Sequence, residues 1–132
     1  MFKAKDVMKT SLITVKRETG IHEAIRVLVE NNITGLPVVN DDMSLAGIIS
    51  EKDMLGLLYN IEDKPGNVED FMTENVVFFD QEDSLIDITE SFIGSSFRRV
   101  PIMAEGKLVG IISRKDIIAY ILKLRHQDKA AV

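Results

Sequence analysis

Apolar positions follow a helical spacing in two parts of the chain and a strand-like pattern in several others. Residues 21, 24, 25, 28 and 29 are apolar, and so are residues 85, 88, 92 and 93. Both sets recur every three or four positions with charged or polar residues between them, which predicts two amphipathic helices. A short β-prone run precedes each helix, LITV at 12–15 and VVFF at 76–79.

Each predicted helix is followed by two further apolar runs that a turn of polar residues connects, which predicts a β-hairpin. A last helix should begin at Ser50 in the first copy and at Ser113 in the second, burying residues 54, 57 and 58 or residues 117, 118, 121 and 122. The hairpin runs are LPVV at 36–39 with LAGII at 45–49, and VPIM at 100–103 with KLVGII at 107–112.

This order of elements is an internal repeat. Met8 and Met72 are 64 positions apart, whereas Gly47 and Gly110 are 63 apart. The offset changes by one residue because the first hairpin turn is one residue longer than the second, and insertions are tolerated in turns. The predicted organisation is a first repeat at 7–58, a linker at 59–70, a second repeat at 71–122 and a C-terminal tail at 123–132.

Each repeat is predicted to have the order β-α-β-β-α. A unit of about 50 residues buries too little surface to be stable alone, so the two copies should share a core. We expect an α/β (α+β) fold in which the two repeats pack through their sheets with pseudo-twofold symmetry.

The composition excludes several kinds of site. The chain has no cysteine, which removes disulfides, thiolate metal ligands and cysteine nucleophiles. His22 and His126 are too far apart in sequence to suggest a metal site. A net charge of −5 argues against non-specific nucleic-acid binding. Neither an apolar signal segment nor a run of 18 apolar residues occurs, so we expect a cytoplasmic protein without a membrane partner.

The most specific repeated motif is GIISEKD at 47–53, which returns as GIISRKD at 110–116. One interpretation is purely structural, because a serine with an aspartate three residues later forms a capping box that contributes about 1 kcal/mol. The other is functional, since a strand that runs into a helix N-terminus can bind phosphate and a nearby carboxylate can accept ribose hydroxyls. Gly47 and Gly110 would either admit a ligand to the backbone or relieve a strand crossing.

With the tandem order and spacing of these motifs, the chain resembles a pair of CBS (cystathionine-β-synthase) domains over residues 7–122. The segments NITGLPVV and SFRRVPIM before and within the hairpins support the resemblance. It implies clefts that bind AMP, ADP, ATP or S-adenosylmethionine, and a module that regulates a partner. By matching position, Asp53 and Asp116 resemble the ribose ligands, and Ser50 and Ser113 the hydroxyls on the phosphate side.

The resemblance also implies that each site combines residues of both repeats. The two expected sites are Asp116, Ser113, Ile111, Arg98 and Arg99 with Ile13, Ile33 and Thr34, and Asp53, Ser50, Ile48, Thr34 and Gly35 with Val77, Phe97 and Arg98.

The two expected sites differ in charge. Arg98, Arg99, Arg114 and Lys115 accompany Ser113, whereas Thr34, Gly35, Glu51 and Lys52 occupy the matching positions of the first repeat. Arginine binds phosphate oxygens in a bidentate manner, so we expect phosphate to prefer the Asp116 site. The alternatives are that Arg98 and Arg99 are solvated or paired with Glu90 or Glu105, and that Phe97 is a core residue.

The sequence offers no nucleophile–base pair, P-loop or dinucleotide fingerprint, so no catalytic residue, metal or required cofactor is expected. The leading hypothesis is a nucleotide-sensing module that modulates an unidentified protein. The alternative is a ligand-independent dimerisation or interaction module whose nucleotide clefts are vestigial. Homodimers are expected in either case, through apolar helix positions that include Leu57, Leu58, Ile61 and Ile121.

Overall fold

The repeated hydrophobic pattern folds into repeated elements, and the predicted α+β class is confirmed. The computed structural model describes residues 2–60 and 66–131, with the side chains of residues 2–59 and 66–126. The helices and strands are α1 (Ile21–Asn31), β1 (Gly35–Val39), β2 (Leu45–Ser50), α2 (Glu51–Leu55), β3 (Phe79–Asp80), α3 (Leu85–Ile93), β4 (Arg99–Ala104), β5 (Lys107–Ser113) and α4 (Arg114–Ala131).

The predicted hairpins are confirmed. Strands β1 and β2 pair antiparallel with Leu36 opposite Ile49, and β4 lies between β3 and β5 in a three-stranded sheet. The turn between β4 and β5 is the shorter of the two hairpin turns. It contains Glu105 and Gly106, both at positive φ, as a tight hairpin turn requires. The longer turn places Met43 at positive φ.

The predicted first strands are shorter than their sequence runs. Only Phe79–Asp80 forms a strand, pairing parallel with β4 so that Phe79 lies opposite Ile102. In the first repeat, Val15 forms a single parallel bridge to Val38, which is the matching pair of positions. The other residues of both runs lie outside regular strands because they form no ladder hydrogen bonds with a neighbour.

The chain separates into two compact units that do not coincide with the sequence repeats. Unit 1 consists of residues 1–12, 77–105 and 109–132, and unit 2 consists of residues 13–76 and 106–108. The first residues of each repeat therefore belong with the hairpin of the other repeat. In unit 1, the backbone of Lys9 bridges Ile111, and in unit 2 the backbone of Thr73 bridges Ile48.

Each unit has its own apolar core, in which the helix packs against the hairpin. Completely buried residues include Ile21, Leu36 and Ile49 in unit 2, and Ile88, Ile102 and Ile112 in unit 1. Val68 in unit 2 and Ala4 in unit 1 are also completely buried, each at the start of a single 3₁₀ turn. These two turns are 64 positions apart, so the repeat extends into the segment predicted as linker.

Two predicted boundaries need correction. The segment at 59–70 is not wholly a linker, because Val68–Asp70 is a 3₁₀ turn anchored by the buried Val68; residues 61–65 lie outside the described residues. The predicted tail at 123–132 continues α4 as far as Ala131, since no helix-breaking residue interrupts it. No helix among the described residues is long and apolar enough to cross a membrane.

The predicted burial of the last helices is partly wrong. Ile117 is buried and Met54 and Leu57 are half-buried, as expected, whereas Leu58, Ile118, Ile121 and Leu122 are exposed. One helix face packs on the sheet, so apolar positions on the far face cannot share that contact. Val29 and Ile93, the last apolar positions of α1 and α3, are exposed for the same reason.

Candidate functional site

The repeated Ser-x-x-Asp motif forms a capping box in both repeats. The Ser113 backbone N–H donates to Asp116 Oδ2 at 2.9 Å, and the Asp116 N–H donates to Ser113 Oγ at 3.2 Å. The Ser50 N–H donates to Asp53 Oδ2 at 2.9 Å, and the Ser50 hydroxyl lies 3.0 Å from the same oxygen. The structural interpretation of the motif is therefore confirmed, and it leaves Oδ1 of each aspartate for other partners.

The other oxygen of each aspartate faces the segment that begins a repeat. Lys9 Nζ lies 3.3 Å from Asp116 Oδ1 in unit 1. Thr73 Oγ1 donates to Asp53 Oδ1 at 3.3 Å in unit 2. Lys9 and Thr73 are 64 positions apart and thus equivalent in the repeat. A cation touches one aspartate and an uncharged hydroxyl the other. No local sequence pattern indicates this difference, because each contact joins the start of one repeat to the hairpin of the other.

The residues before each hairpin proline lie beside the helix N-terminus of their own repeat. The Glu51 N–H donates to the Thr34 carbonyl at 3.0 Å, and the Arg114 N–H donates to the Arg98 carbonyl at 3.0 Å. In the first hairpin, Gly35 lies directly opposite Ser50. The structure thus brings together the predicted residues Thr34, Gly35, Ser50 and Asp53 in unit 2, and Arg98, Arg99, Ser113, Lys115 and Asp116 in unit 1.

Arg114 has a structural role that the sequence analysis did not foresee. Its guanidinium donates to the carbonyls of Phe92 at 3.1 Å, Ser95 at 2.8 Å and Phe97 at 3.1 Å. It also lies over the Phe92 ring, 6.0 Å from the centroid. Phe92 belongs to the last turn of α3, whose final carbonyls lack helical donors, so Arg114 stabilises this helix C-terminus. Only contacts distant in sequence reveal this role.

The glycines of the motif accommodate the methionines of the repeat. A Cβ atom at position 47 would lie 2.6 Å from the Thr73 carbonyl oxygen and 3.1 Å from Met72 Sδ. A Cβ atom at position 110 would lie 2.5 Å from Met8 Sδ. Of the two interpretations of these glycines, the close crossing of chain segments is the one that the structure supports. Met8 and Met72 accordingly pack at the start of each repeat, against a glycine.

The remaining predicted site residues are apolar and partly accessible. Ile33, Ile48, Ile111 and Phe97 are half-buried, while Ile13 and Val77 are exposed. The Phe97 ring packs edge-on against Phe92 with a centroid distance of 5.7 Å. This contact agrees with the alternative interpretation of Phe97 as a core residue. Ile13, Ile33 and Ile48 belong to unit 2, and Val77, Phe97 and Ile111 to unit 1.

Two related sequences come from Methanocaldococcus jannaschii. An uncharacterized protein is 33% identical over 114 residues, which is 86% of this chain and 41% of that protein. An inosine-5'-monophosphate dehydrogenase is 36% identical over 130 residues, which is 98% of this chain and 25% of the enzyme. The chain therefore spans less than half the length of either relative, and the dehydrogenase match concerns a quarter of that enzyme.

Two solved structures resemble the chain over most of its length. CBSX2 in complex with AMP has a TM-score of 0.87 at 29% identity, over 95% of this chain and 99% of that one; CBSX2 comes from Arabidopsis thaliana. The CBS domain pair of protein MJ0100, in complex with 5′-methylthioadenosine and S-adenosyl-L-methionine, has a TM-score of 0.79 at 25% identity, over 92% and 96%.

The family comparison agrees with the internal repeat. The CBS domain matches this chain twice, at residues 4–60 and 68–123. Each match contains one helix–hairpin–helix succession and one capping box. The chain belongs to the CBS-domain family and carries two copies of the domain.

Proposed function

We propose that the chain is a regulatory module that binds an adenosyl ligand, AMP, ADP, ATP or S-adenosylmethionine, and modulates a partner protein according to its occupancy. One observation carries the proposal. Both repeats place a serine–aspartate pair where a strand runs directly into a helix, in a chain that resembles the AMP-bound CBSX2 over nearly its full length.

The chemistry of this arrangement suits a nucleoside. Ribose hydroxyls are donors and require acceptors, and each aspartate already has its Oδ2 atom held by a serine N–H, which fixes the carboxylate in one orientation. Asp53 and Asp116 are thus proposed to bind ribose through the remaining oxygen. The half-buried Ile48 and Ile111 are proposed to contact the base, and Ile13, Ile33, Val77 and Phe97 to complete the apolar surroundings.

The two repeats are proposed to bind ligands of different charge. Arg98 lies beside the helix start of the Asp116 cap through its carbonyl, which accepts the Arg114 N–H, with Arg99 next to it in the chain and Lys115 in the first turn of α4. The Arg114 guanidinium is already bonded to three carbonyls. The Asp53 cap instead has Glu51 as its first helical residue. Phosphate is therefore proposed to favour Asp116, since a glutamate at the other helix start repels a phosphate chain.

A ligand-independent interaction module is the second candidate, and one observation favours it. The Asp116 side chain is only 10% exposed and has partners on both oxygens, Ser113 and Lys9. Because both carboxylate oxygens already have partners within the protein, Asp116 does not require a ribose hydroxyl as a hydrogen-bond donor. In this alternative, the clefts are vestigial and the exposed apolar faces of the helices bind a second copy or a partner.

Calorimetric titration with AMP, ADP, ATP and S-adenosylmethionine distinguishes the two candidates. Asp116→Asn and Asp53→Asn are suitable variants because asparagine retains an oxygen for the serine N–H while losing the charge. Asp41→Asn is the matched control, since Asp41 is a carboxylate on the longer hairpin turn with a 96% exposed side chain.

Binding that Asp116→Asn weakens and Asp41→Asn leaves unchanged supports the sensor, and greater loss from Asp53→Asn reverses the assignment of the phosphate site. No binding of any of the four ligands at millimolar concentration refutes the sensor and leaves the interaction module.

A further inference from the structure

We propose that Lys9 is the residue that makes the Asp116 position select phosphorylated adenosyl ligands, by exchanging its ion pair with Asp116 for one with the ligand's phosphate. The inference rests on the proposed binding of an adenosyl ligand at Asp116. It concerns a residue outside the repeated heptad, from the segment that begins the first repeat.

The geometry divides the two oxygens of Asp116 between a fixed and an exchangeable partner. Oδ2 accepts the Ser113 backbone N–H at 2.9 Å, as part of the helix cap. Oδ1 lies 3.3 Å from Lys9 Nζ, at the end of a side chain that is 74% exposed. The Asp116 side chain is only 10% exposed, whereas the Lys9 ammonium is largely in water and regains its full hydration when it leaves Oδ1. A ribose hydroxyl can therefore replace Lys9 at Oδ1 without disturbing the cap.

The backbone holds Lys9 in place while its side chain moves. The Lys9 N–H donates to the Ile111 carbonyl at 2.9 Å, and the Ile111 N–H donates to the Lys9 carbonyl at 3.0 Å. Met8, its neighbour, packs against Gly110. A displaced Lys9 ammonium therefore stays within one side-chain length of Asp116. A phosphate attached to the bound ribose offers this ammonium a charged partner, whereas an uncharged 5′ substituent does not.

Thr73 provides the natural comparison. It occupies the same place relative to Asp53, with its backbone paired to Ile48 at 2.9 and 2.8 Å and its hydroxyl on Asp53 Oδ1 at 3.3 Å. Threonine cannot supply a cation to a phosphate. The Asp116 and Asp53 positions thus share one backbone arrangement, but the first has the positively charged Lys9 where the second has the uncharged Thr73. This difference predicts that the two positions select ligands of different charge.

The test uses the full chain and two probes, AMP and 5′-methylthioadenosine, which share the adenosyl group and differ in charge. In Lys9→Gln we expect AMP to bind about fivefold more weakly and 5′-methylthioadenosine to bind as before. Lys123→Gln is the control, since it removes the same charge from an exposed position of α4. The AMP affinity of the native chain should also fall more steeply with salt than that of Lys9→Gln.

Thr73→Lys in an Asp116→Asn background should raise the preference of the Asp53 position for AMP over 5′-methylthioadenosine. Equal effects of Lys9→Gln on both ligands, or no effect on either, overturn the role of Lys9 while leaving the proposed function intact. Failure of the native chain to bind either probe overturns the role of Lys9, whereas the proposed function fails only if ADP, ATP and S-adenosylmethionine do not bind either.

Discussion

Met8 and Gly110 lie so close together that a Cβ atom at position 110 would come within 2.5 Å of the Met8 sulfur. The equivalent pair in unit 2, Met72 and Gly47, leaves more room at the sulfur, with 3.1 Å, but the Thr73 carbonyl oxygen would lie only 2.6 Å away. The obstacle is a flexible side chain in one repeat and backbone in the other. Alanine should therefore have different consequences at the two glycines.

We predict that Gly47→Ala lowers the free energy of unfolding by about 1–3 kcal/mol and that Gly110→Ala lowers it less. Met8 can rotate away from the new methyl group, whereas the Thr73 carbonyl is held by the bridge to Ile48. Chemical denaturation of both variants measures the difference.

A second comparison tests the cause. With Met8→Ala already present, Gly110→Ala should cost less than in the native chain, since Sδ and Cγ of Met8 are gone and only its Cβ, 3.0 Å from the new methyl group, remains. With Met72→Ala present, Gly47→Ala should still be costly because the carbonyl remains. Equal costs for the two glycines would contradict the assignment of the obstacles.

Arg114→Gln should destabilise unit 1 by about 1–2 kcal/mol, because the carbonyls of Phe92 in the last turn of α3 and of Ser95 and Phe97 after it lose a charged donor. Thermal unfolding followed by circular dichroism gives the change. Arg114→Lys should recover only part of it, as a single ammonium cannot reach all three oxygens in the manner of a guanidinium.

Glu51→Gln is the matched control for Arg114, since Glu51 is the equivalent position in the first repeat. It changes the charge at a helix start without removing a contact of this kind. Because removing a cation from a helix N-terminus is by itself stabilising, helix charge cannot explain a loss of stability in Arg114→Gln, and unchanged stability of Arg114→Gln would contradict the carbonyl contacts.

Self-association is expected through the exposed apolar positions of α4. Ile118, Ile121 and Leu122 are 65%, 58% and 58% exposed, and burying them against a second copy would remove apolar surface from water. Ile118→Glu should therefore shift the protein towards monomer in sedimentation at tens of micromolar. Ile61, another position expected to take part in self-association, lies outside the described residues.

Ile86→Glu provides the control for self-association. Ile86 is 63% exposed, like Ile118, but lies on α3 in its first turn. Equal dissociation in the two variants would place the contact elsewhere, and a native protein that remains monomeric would contradict the expectation of a dimer.

Glu82 should titrate below the ordinary range of a glutamate. Its pKa is lowered by the hydrogen bond from Lys5 at 2.8 Å, with a further contribution from Lys3 at 3.0 Å. The stabilisation that this pairing contributes is present above the pKa that Glu82 has in the unfolded chain. It is lost as the pH falls through the lower pKa of the folded state.

Carboxyl chemical shifts followed against pH measure the Glu82 pKa directly. Lys5→Gln should raise it towards the ordinary value, and Lys123→Gln should leave it unchanged. A Glu82 pKa that does not respond to Lys5→Gln would show that the pair has no influence in solution.

Helices and helix caps formed by residues close together in sequence could be predicted from the sequence. The spacing of Ile21, Ala24 and Leu28 indicates α1 directly, because those side chains share one helix face. The capping boxes at Ser50 and Ser113 were equally accessible, since their partners are three residues away. Local patterns of this kind determine element type and approximate bounds.

Relationships between distant segments could not be predicted in the same way. Nothing near Lys9 in sequence indicates that its partner is Asp116, and nothing near Arg114 indicates the carbonyls of Phe92 and Ser95. Apolar periodicity also does not reveal which helix face packs on the sheet, so Leu58 and Ile118 were assigned to the core although they are exposed. These features follow from topology, which the repeat alone does not specify.

The assignment of residues 1–12 to unit 1 bears on how the chain folds as it leaves the ribosome. Unit 2 is formed almost entirely by the continuous segment 13–76 and can begin to fold early in synthesis. Met8 and Lys9 must wait for Gly110 and Ile111, their contacts in unit 1, which emerge about 100 residues later. Met8 and Lys9 are thus made before unit 2 and acquire their partners after it.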